Sequence, residues 1–255
     1  SLHHSLVAMY IECSLLAEAQ SVFDDVHIKD LITWTVLIRG YADHGYNEEA
    51  LHCLNIMELE ELVPDLLSYI YCLKACGTLG ALTKGKEIHS HIIKRGDSLH
   101  VDEQVREDND LVLTTSLIDM YSKCGSIGEV ELVFGSLNEQ NLVTWNAMLS
   151  AYIEHELGEN CLQLYRQMQE DRLKLDQWSY SSVFQACCII AEKASVFEGK
   201  SIKVSYRDIV QGLYVEVRRE GFVEDAFVCS MLISMYSKLM ELPELEYIFE
   251  RLPKD

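Results

Sequence analysis

The chain contains 255 residues, of which 41 are acidic and 21 basic, for a formal net charge of −20. This balance is the opposite of the basic surface that nucleic-acid-binding proteins normally show. No apolar run approaches the roughly 18 residues of a membrane span, which excludes a membrane protein. With only three prolines, the composition suits an all-α protein.

Three sequence phrases recur along the chain and indicate a repeat protein. The passage LITWTVLIRGYADHG, which begins at residue 31, returns as LVTWNAMLSAYIEHE at residue 142. Relatives of the phrase SLIDMYSKCG begin at residues 5, 116 and 230, and relatives of SYIYCLKACG begin at residues 68 and 179. Repetition on this scale predicts an array of similar units whose function lies on an extended surface.

Each repeat carries two apolar stripes with the spacing of α-helices, at i, i+3, i+4 and i+7. In the copy from residue 142 the stripes are Trp145, Met148, Leu149 and Tyr152, then Cys161, Leu164, Tyr165 and Met168. The repeat is therefore predicted to be two antiparallel helices joined by a short turn. Because one such pair cannot bury its apolar face alone, the pairs must stack. The predicted fold is an all-α solenoid of helix-turn-helix repeats.

In chain order the sequence divides into seven repeats. Their bounds are 1–30, 31–65, 66–110, 111–141, 142–176, 177–225 and 226–255. Two repeats are overlong, through an acidic insertion at 97–110 and a second insertion at 192–212. Neither end resembles the polar cap that closes a solenoid, so we expect a stretch of a longer array.

The repeats resemble the pentatricopeptide repeat (PPR) family. TWNAMLSAY with LQLYRQMQEDRLKLD is similar to its standard repeat, SLIDMYSKCGSIGEVELVFGSL to its short variant, and KACGTLGALTKGKEIHSHIIKRG to its long variant. The order short, standard, long, short, standard, long, short resembles the PLS subclass of organellar RNA-binding proteins. The resemblance implies a right-handed α-solenoid that binds single-stranded RNA, one base per repeat. It further implies an RNA editing or processing factor of a mitochondrion or chloroplast, with any transit peptide outside this chain.

The resemblance assigns base recognition to the fifth and last residues of each repeat. The assigned residues are Thr35 with Asp65 for guanine, Thr115 with Asn141 for adenine, Asn146 with Asp176 for uracil, Ser181 with Asp225 for guanine, and Ser230 for a purine. Two pairs depart from the family's pattern, namely Ile70 with Asp110 and His4 with Asp30. The resemblance predicts no base for the repeats that contain them.

The second residue of each repeat is expected to pack against the face of a base. These residues are Ile32, Leu67, Val112, Val143, Trp178 and Phe227. Apolar or aromatic side chains at this position would make contacts that do not depend on sequence. The alternative is that they belong to the core, as most apolar residues at helical spacing do.

The thirteenth residue of a repeat in this family often is a lysine near phosphate. Lys123 and Lys238 keep that residue, but Glu12, Asp43 and Glu154 replace it with an acid. We therefore expect weak RNA binding with a strong dependence on salt. Many of the remaining acids fall in the insertions or on second helices, where they form a solvated outer face.

The nine cysteines occupy matched positions of the repeats, which favours small buried side chains over disulfides or a zinc site. No catalytic residue, metal, cofactor or small-molecule substrate is predicted. The alternative function is an acidic α-solenoid scaffold within a ribonucleoprotein or editing complex. In either case the long repeats are the expected docking place for a protein cofactor.

Overall fold

The computed structural model describes residues 2–27, 29–95, 103–137, 140–197, 201–222 and 225–239. Within these ranges the regular secondary structure consists of thirteen α-helices and no strand. The helices are α1 (Leu2–Glu12), α2 (Leu16–Asp24), α3 (Leu31–Asp43), α4 (Asn47–Leu59), α5 (Leu66–Leu79), α6 (Leu82–Arg95), α7 (Glu103–Lys123), α8 (Ile127–Gly135), α9 (Leu142–Glu154), α10 (Gly158–Glu170), α11 (Gln177–Phe197), α12 (Ser201–Arg219) and α13 (Ala226–Leu239). The predicted fourteenth helix falls in residues 240–255, outside the described ranges.

The chain forms two compact halves, residues 1–137 and 138–255. In the N-terminal half, α1, α3, α5 and α7 pack in series, and α2, α4, α6 and α8 each pack on the helix that precedes them. In the C-terminal half, α9, α11 and α13 form the series, with α10 and α12 as the second helices. No helix in the described ranges is long and apolar enough to cross a bilayer.

The predicted apolar stripes are the core of each half. Trp34 and Trp145 occupy matching positions and are 2 % and 1 % exposed. The Phe23 ring meets Trp34 edge-on, with ring centroids 4.6 Å apart. All eight stripe residues predicted between 145 and 168 are buried. The helical period therefore identified the buried faces correctly.

Most first helices begin at an Asp or Asn side chain that accepts hydrogen bonds from the backbone of the first turn. Asp30 accepts from the Thr33 N–H at 2.9 Å, and Asp65 accepts from the Ser68 N–H at 2.8 Å. The other caps of this kind are Asn141, Asp176 and Asp225. Such caps satisfy N–H groups that have no partner inside the helix, and each contributes about 1 kcal/mol.

Helix α7 begins earlier than the predicted repeat bounds. Asp110 stands where a cap is expected, but it lies inside α7, which starts at Glu103. The described part of the acidic insertion, residues 103–110, therefore continues the first helix of the next repeat. The second insertion behaves similarly, because residues 192–197 belong to α11 and 201–212 to α12.

The turn between the two helices of a repeat places one residue in the left-handed region of backbone space. Gly45, Gly80 and Gly125 supply it at φ of 81°, 66° and 74°, which glycine adopts without steric cost. Ser14 and Glu156 stand at the same place in their repeats at φ of 60° and 54°. The turn geometry is thus maintained even where the sequence does not provide glycine.

The cysteines are free thiols, and seven of the nine are buried. Burial raises the pKa of Cys53 and Cys161 to about 12, so these thiols behave as small apolar side chains. The half-buried Cys124 lies with its sulfur 3.6 Å from the Cys76 carbonyl oxygen. Cys13, at the matching place after α1, is exposed. The interpretation of Cys13 as a packing residue was wrong.

Candidate nucleic-acid interface

The second residues of the predicted repeats lie exposed at the starts of first helices. Their exposed fractions run from 40 % for Phe227 to 59 % for Ile32, and the others are Leu67, Val112, Val143 and Trp178. Large apolar side chains of a core are buried, so this exposure excludes the alternative that these residues are core. Their role in contacting bases stays a prediction.

Two of these side chains meet in the C-terminal half. The rings of Trp178 and Phe227 have centroids 5.4 Å apart and planes inclined by 53°. They project from the first turns of α11 and α13, which pack against each other. Two adjacent exposed aromatic faces form a platform on which planar groups can stack.

Thr35 and Asp65, the fifth and last residues of one predicted repeat, are in contact. The Thr35 hydroxyl lies 3.1 Å from Asp65 Oδ2 and 2.9 Å from the Leu31 carbonyl oxygen. Asp65 at the same time caps α5. The two residues that the resemblance assigns to one base are therefore neighbours in the structure, although 30 positions separate them in the sequence.

Asn146 and Asp176 form the equivalent contact in the C-terminal half. The amide Nδ2 of Asn146 donates to both carboxylate oxygens of Asp176, at 3.1 Å each. Asp176 also caps α11 through the Ser179 N–H at 2.9 Å. The pair is half-buried, with its polar groups at the edge where α9 and α11 meet.

The remaining predicted pairs are arranged differently. The Ser181 hydroxyl donates to the Gln177 carbonyl oxygen at 2.7 Å, and Asp225 caps α13, so each bonds locally. The Ser230 hydroxyl likewise donates to the Phe227 carbonyl oxygen at 2.8 Å.

Thr115 also forms local bonds, to the carbonyl oxygens of Leu111 and Val112. Its predicted partner Asn141 belongs to the other half and caps α9. The departure of Ile70 and Asp110 from the family's pattern has a structural reason. Asp110 lies within α7 and is not a helix cap, so it does not occupy the position that Asp65 and Asp176 hold.

A cleft of about 220 Å³ opens between α5 and α7 and adjoins these positions. It is lined by Ile70, Lys74, Thr115, Ser116 and Asp119. The cleft brings the fifth residues of two successive predicted repeats, Ile70 and Thr115, to one opening. Its lining combines the apolar Ile70 side chain and two hydroxyl residues with one cation, Lys74, and one acid, Asp119.

An ion-pair ladder of four residues crosses the first helices of the N-terminal half. Arg39 of α3 lies 3.9 Å from Glu12 of α1 and 3.5 Å from Asp43, and Lys74 of α5 lies 2.9 Å from Asp43. Burial opposes ionisation of Asp43, but the bonds and charges of Lys74 and then Arg39 outweigh it and lower its pKa. Glu12 and Asp43, both predicted thirteenth-position acids, are therefore paired with cations.

The structure describes the two lysines that were predicted to contact phosphate to different extents. Lys123 donates to Asp119 at 2.8 Å, so a phosphate would have to compete with that carboxylate. Lys238 lies in α13, but its side chain is outside the described part of the structure. Arg39 and Lys74 are cations that sequence reasoning missed at the ninth position of their repeats. Their spacing of 35 residues, which is one repeat, was the signal that could have identified them.

Sequence reasoning also missed a serine next to each of the two formed pairs. Ser68 and Ser179 stand three residues after Asp65 and Asp176, and both are fully buried. An Asp or Asn just before an apolar helical stripe is a usual signal of a helix N-cap, whose side chain bonds to the residue three positions later, so the sequence contained a signal for this place. Thr33 and Thr144 stand at the same spacing after Asp30 and Asn141.

Comparison with known proteins identifies the class. A sequence model of the PPR repeat family matches residues 29–78 and 140–189, and a model of the single PPR repeat matches residues 112–142. The chain belongs to the PPR repeat family.

Two relatives from Arabidopsis thaliana span almost the whole chain. A chloroplastic pentatricopeptide repeat-containing protein is 28 % identical over 255 residues, and a mitochondrial one is 30 % identical over 268 residues. These alignments cover 99 % and 97 % of this chain but only 27 % of each relative. The chain thus spans about a quarter of the length of the curated relatives it matches.

A solved structure shows the same fold. The pentatricopeptide repeat protein PPR10, in complex with an 18-nt psaJ RNA element, superposes with a TM-score of 0.60. The match covers 97 % of this chain and 39 % of PPR10, at 14 % sequence identity. Together with the helices described above, this match confirms the predicted all-α solenoid.

Proposed function

We propose that this chain binds single-stranded RNA and recognises one base per repeat. The observation that carries the proposal is a recurring arrangement at the start of neighbouring first helices. In both halves a fifth residue contacts a last residue (Thr35 with Asp65, Asn146 with Asp176), next to an exposed apolar second residue. Polar groups that match a base edge, combined with apolar side chains that cover its face, are the elements of single-strand recognition.

The hydrogen-bonding capacity of the two pairs supports different bases. Asn146 and Asp176 offer a donor and an acceptor side by side, which complements the O4 acceptor and N3–H donor of uracil. Thr35 uses its hydroxyl within the protein, so Asp65 supplies mainly acceptors, which suit the N1–H and N2–H donors of guanine. Both assignments agree with those implied by the family resemblance.

The biological setting follows from the relatives and the repeat order. Relatives named chloroplastic or mitochondrial support an organelle as the compartment. The order of short, standard and long repeats supports the PLS subclass and a role in RNA editing or processing. With the 5′ end of the RNA at the N-terminal repeats and repeat bounds as predicted, the recognised sequence from residue 31 onward is G-N-A-U-G-R. PPR10 binds RNA in its solved complex, which supports RNA as the partner in place of an acidic protein scaffold.

The decisive experiment changes the base preference of one repeat. Asn146→Thr, with Asp176 retained, reproduces the Thr–Asp pair of residues 35 and 65 and should convert the uracil preference of that repeat to guanine. Oligonucleotides that differ only at this base are compared at low salt by fluorescence anisotropy. Each mismatch should weaken binding by about 1–3 kcal/mol, the scale of base-edge discrimination.

A matched control is Ser150→Thr, which changes an exposed residue of the same helix and should leave the preference unchanged. If the Asn146→Thr variant keeps its uracil preference, Asn146 does not read RNA. If the parent chain binds no RNA at low salt but retains a protein partner in pull-down, the acidic scaffold is the correct function.

A further inference from the structure

Each of the two formed pairs is completed by a buried hydroxyl from the next repeat. Ser179 Oγ lies 2.7 Å from Asn146 Oδ1 and 2.9 Å from Asp176 Oδ1. Ser68 Oγ lies 3.0 Å from the Thr35 hydroxyl oxygen, while its backbone N–H donates to Asp65. Both serines are fully buried, so no solvent competes for these contacts. The same three-residue cluster thus occurs at two sites 111 residues apart.

The hydroxyl of Ser179 determines what Asn146 can offer to a ligand. The Ser179 hydroxyl donates to Asn146 Oδ1 at 2.7 Å and turns that oxygen toward a fully buried group, while Nδ2 faces the carboxylate of Asp176. The amide is therefore fixed in one orientation, with its N–H side rather than its oxygen toward Asp176. On Asp176, Oδ1 receives bonds from Ser179 and Asn146, whereas Oδ2 receives a bond from Asn146 alone and keeps accepting capacity.

We propose that Ser179, and Ser68 in the N-terminal half, are positioning residues that set the base preference of the preceding repeat. The proposal rests on the proposed RNA binding and deepens it, because it adds a third residue to each reading pair. Ser179 does not touch the base itself. It holds the Asn146 oxygen toward the buried hydroxyl, because a flipped amide would present that oxygen to the amino group of cytosine and weaken discrimination between the two pyrimidines.

Other repeats show which residues can stand at the position of Ser68 and Ser179, three residues after the helix cap. Thr33 and Thr144 stand at the same place, are buried, and place their hydroxyls on the preceding cap residue. Threonine therefore fits where a hydroxyl is required. In the last described repeat the place is taken by Val228, and there Ser181 and Asp225 each bond locally. The two described clusters occur where the third residue after the cap is a serine, Ser68 or Ser179.

The test measures base preference in three variants of this chain. Ser179→Ala should reduce the preference for uracil over cytosine at the repeat of Asn146 by about 3- to 10-fold, the value of one hydrogen bond. Ser179→Thr should retain the parental preference. Ser182→Ala, which removes a hydroxyl bonded only to the Trp178 carbonyl oxygen of the same helix, is the control and should change nothing.

A second readout does not depend on RNA. In the free protein, the Asn146 side-chain amide should give a resolved pair of proton resonances with slow exchange, and Ser179→Ala should accelerate that exchange. Ser68→Ala provides an independent case, with reduced guanine preference at the repeat of Thr35 as the expected result.

The outcomes separate this inference from the function on which it rests. If the parent chain discriminates uracil from cytosine and Ser179→Ala discriminates equally well, the positioning role is refuted and RNA recognition stands. If the parent chain shows no base preference at all, both are refuted.

Discussion

Replacing Trp178 with alanine should weaken RNA binding and leave folding almost unchanged. The indole is 58 % exposed, and the only ring contact described for it is with Phe227, at 5.4 Å. Loss of that contact should cost about 0.5–1.5 kcal/mol of folding free energy. Loss of stacking on a base should cost about 1–3 kcal/mol of binding free energy, which is roughly a 5- to 150-fold increase in Kd.

Trp145 provides the opposite case within the same chain. It is 1 % exposed in the core of the C-terminal half, so Trp145→Ala should lower the free energy of unfolding by about 3–5 kcal/mol. The two variants remove the same side chain, and only its location differs. Trp178→Phe keeps an aromatic face and should bind RNA nearly as tightly as the parent.

The assay pairs urea denaturation, followed by circular dichroism, with fluorescence anisotropy on a labelled single-stranded RNA at low salt. Circular dichroism avoids the loss of an indole signal in the variants. The reasoning is refuted if Trp178→Ala binds RNA as tightly as the parent. It is equally refuted if Trp178→Ala loses as much stability as Trp145→Ala, since the indole would then be a core residue.

Two further predictions concern charge. Asp43→Asn removes the carboxylate that pairs with Lys74 and Arg39, so it should release Lys74 to phosphate and leave Arg39 with Glu12 as its ion-pair partner. RNA binding should become tighter and more dependent on salt, at a stability cost of under about 1 kcal/mol for exposed pairs. Unchanged salt dependence in anisotropy titrations would contradict this. Burial lowers the pKa of His89, whose Nδ1 lies 2.9 Å from the Tyr121 hydroxyl. As the pH falls, the unfolded chain therefore binds a proton before the folded chain does, and the free energy of unfolding should decrease below a pH of about 6.5. His89→Gln should remove this part of the pH dependence of the urea midpoint, and an unaltered profile would show that His89 is not its source.

The sequence predicted the repeat arrangement and buried faces because they depend on local periodicity. The helical spacing of Trp34, Leu37, Ile38 and Tyr41 requires one buried side, and all four are buried. Asn146 and Asp176 were assigned to one base only through the family resemblance, since no local pattern links residues 30 positions apart, and their mutual contact is a finding of the structure. Pairings between helices depend on stacking geometry, which the sequence of one repeat does not express.

The secondary structure of the insertions and the pairing of the charges were harder to predict from the sequence, for different reasons. Whether residues 103–110 form a loop or extend α7 depends on the absence of a helix-starting cap near Asp110, a balance of about 1 kcal/mol. The ion pairs of Glu12 with Arg39 and of Asp43 with Lys74 were not predicted, because each joins two neighbouring first helices. Net charge counts residues, whereas binding responds to how charges are paired on the surface.

The last residue of a repeat serves two purposes, and this limits how such arrays can change. Asp65 and Asp176 each contact a reading residue and also cap the helix of the following repeat. Only short side chains with an oxygen acceptor, mainly Asp, Asn, Ser and Thr, cap helices well. A residue from outside this small group, introduced to obtain a new base preference, would also remove the cap and destabilise the first helix of the next repeat. The set of bases that an array can distinguish is therefore restricted by the chemistry of helix initiation, and retargeting by evolution or design should proceed mainly through the fifth residue.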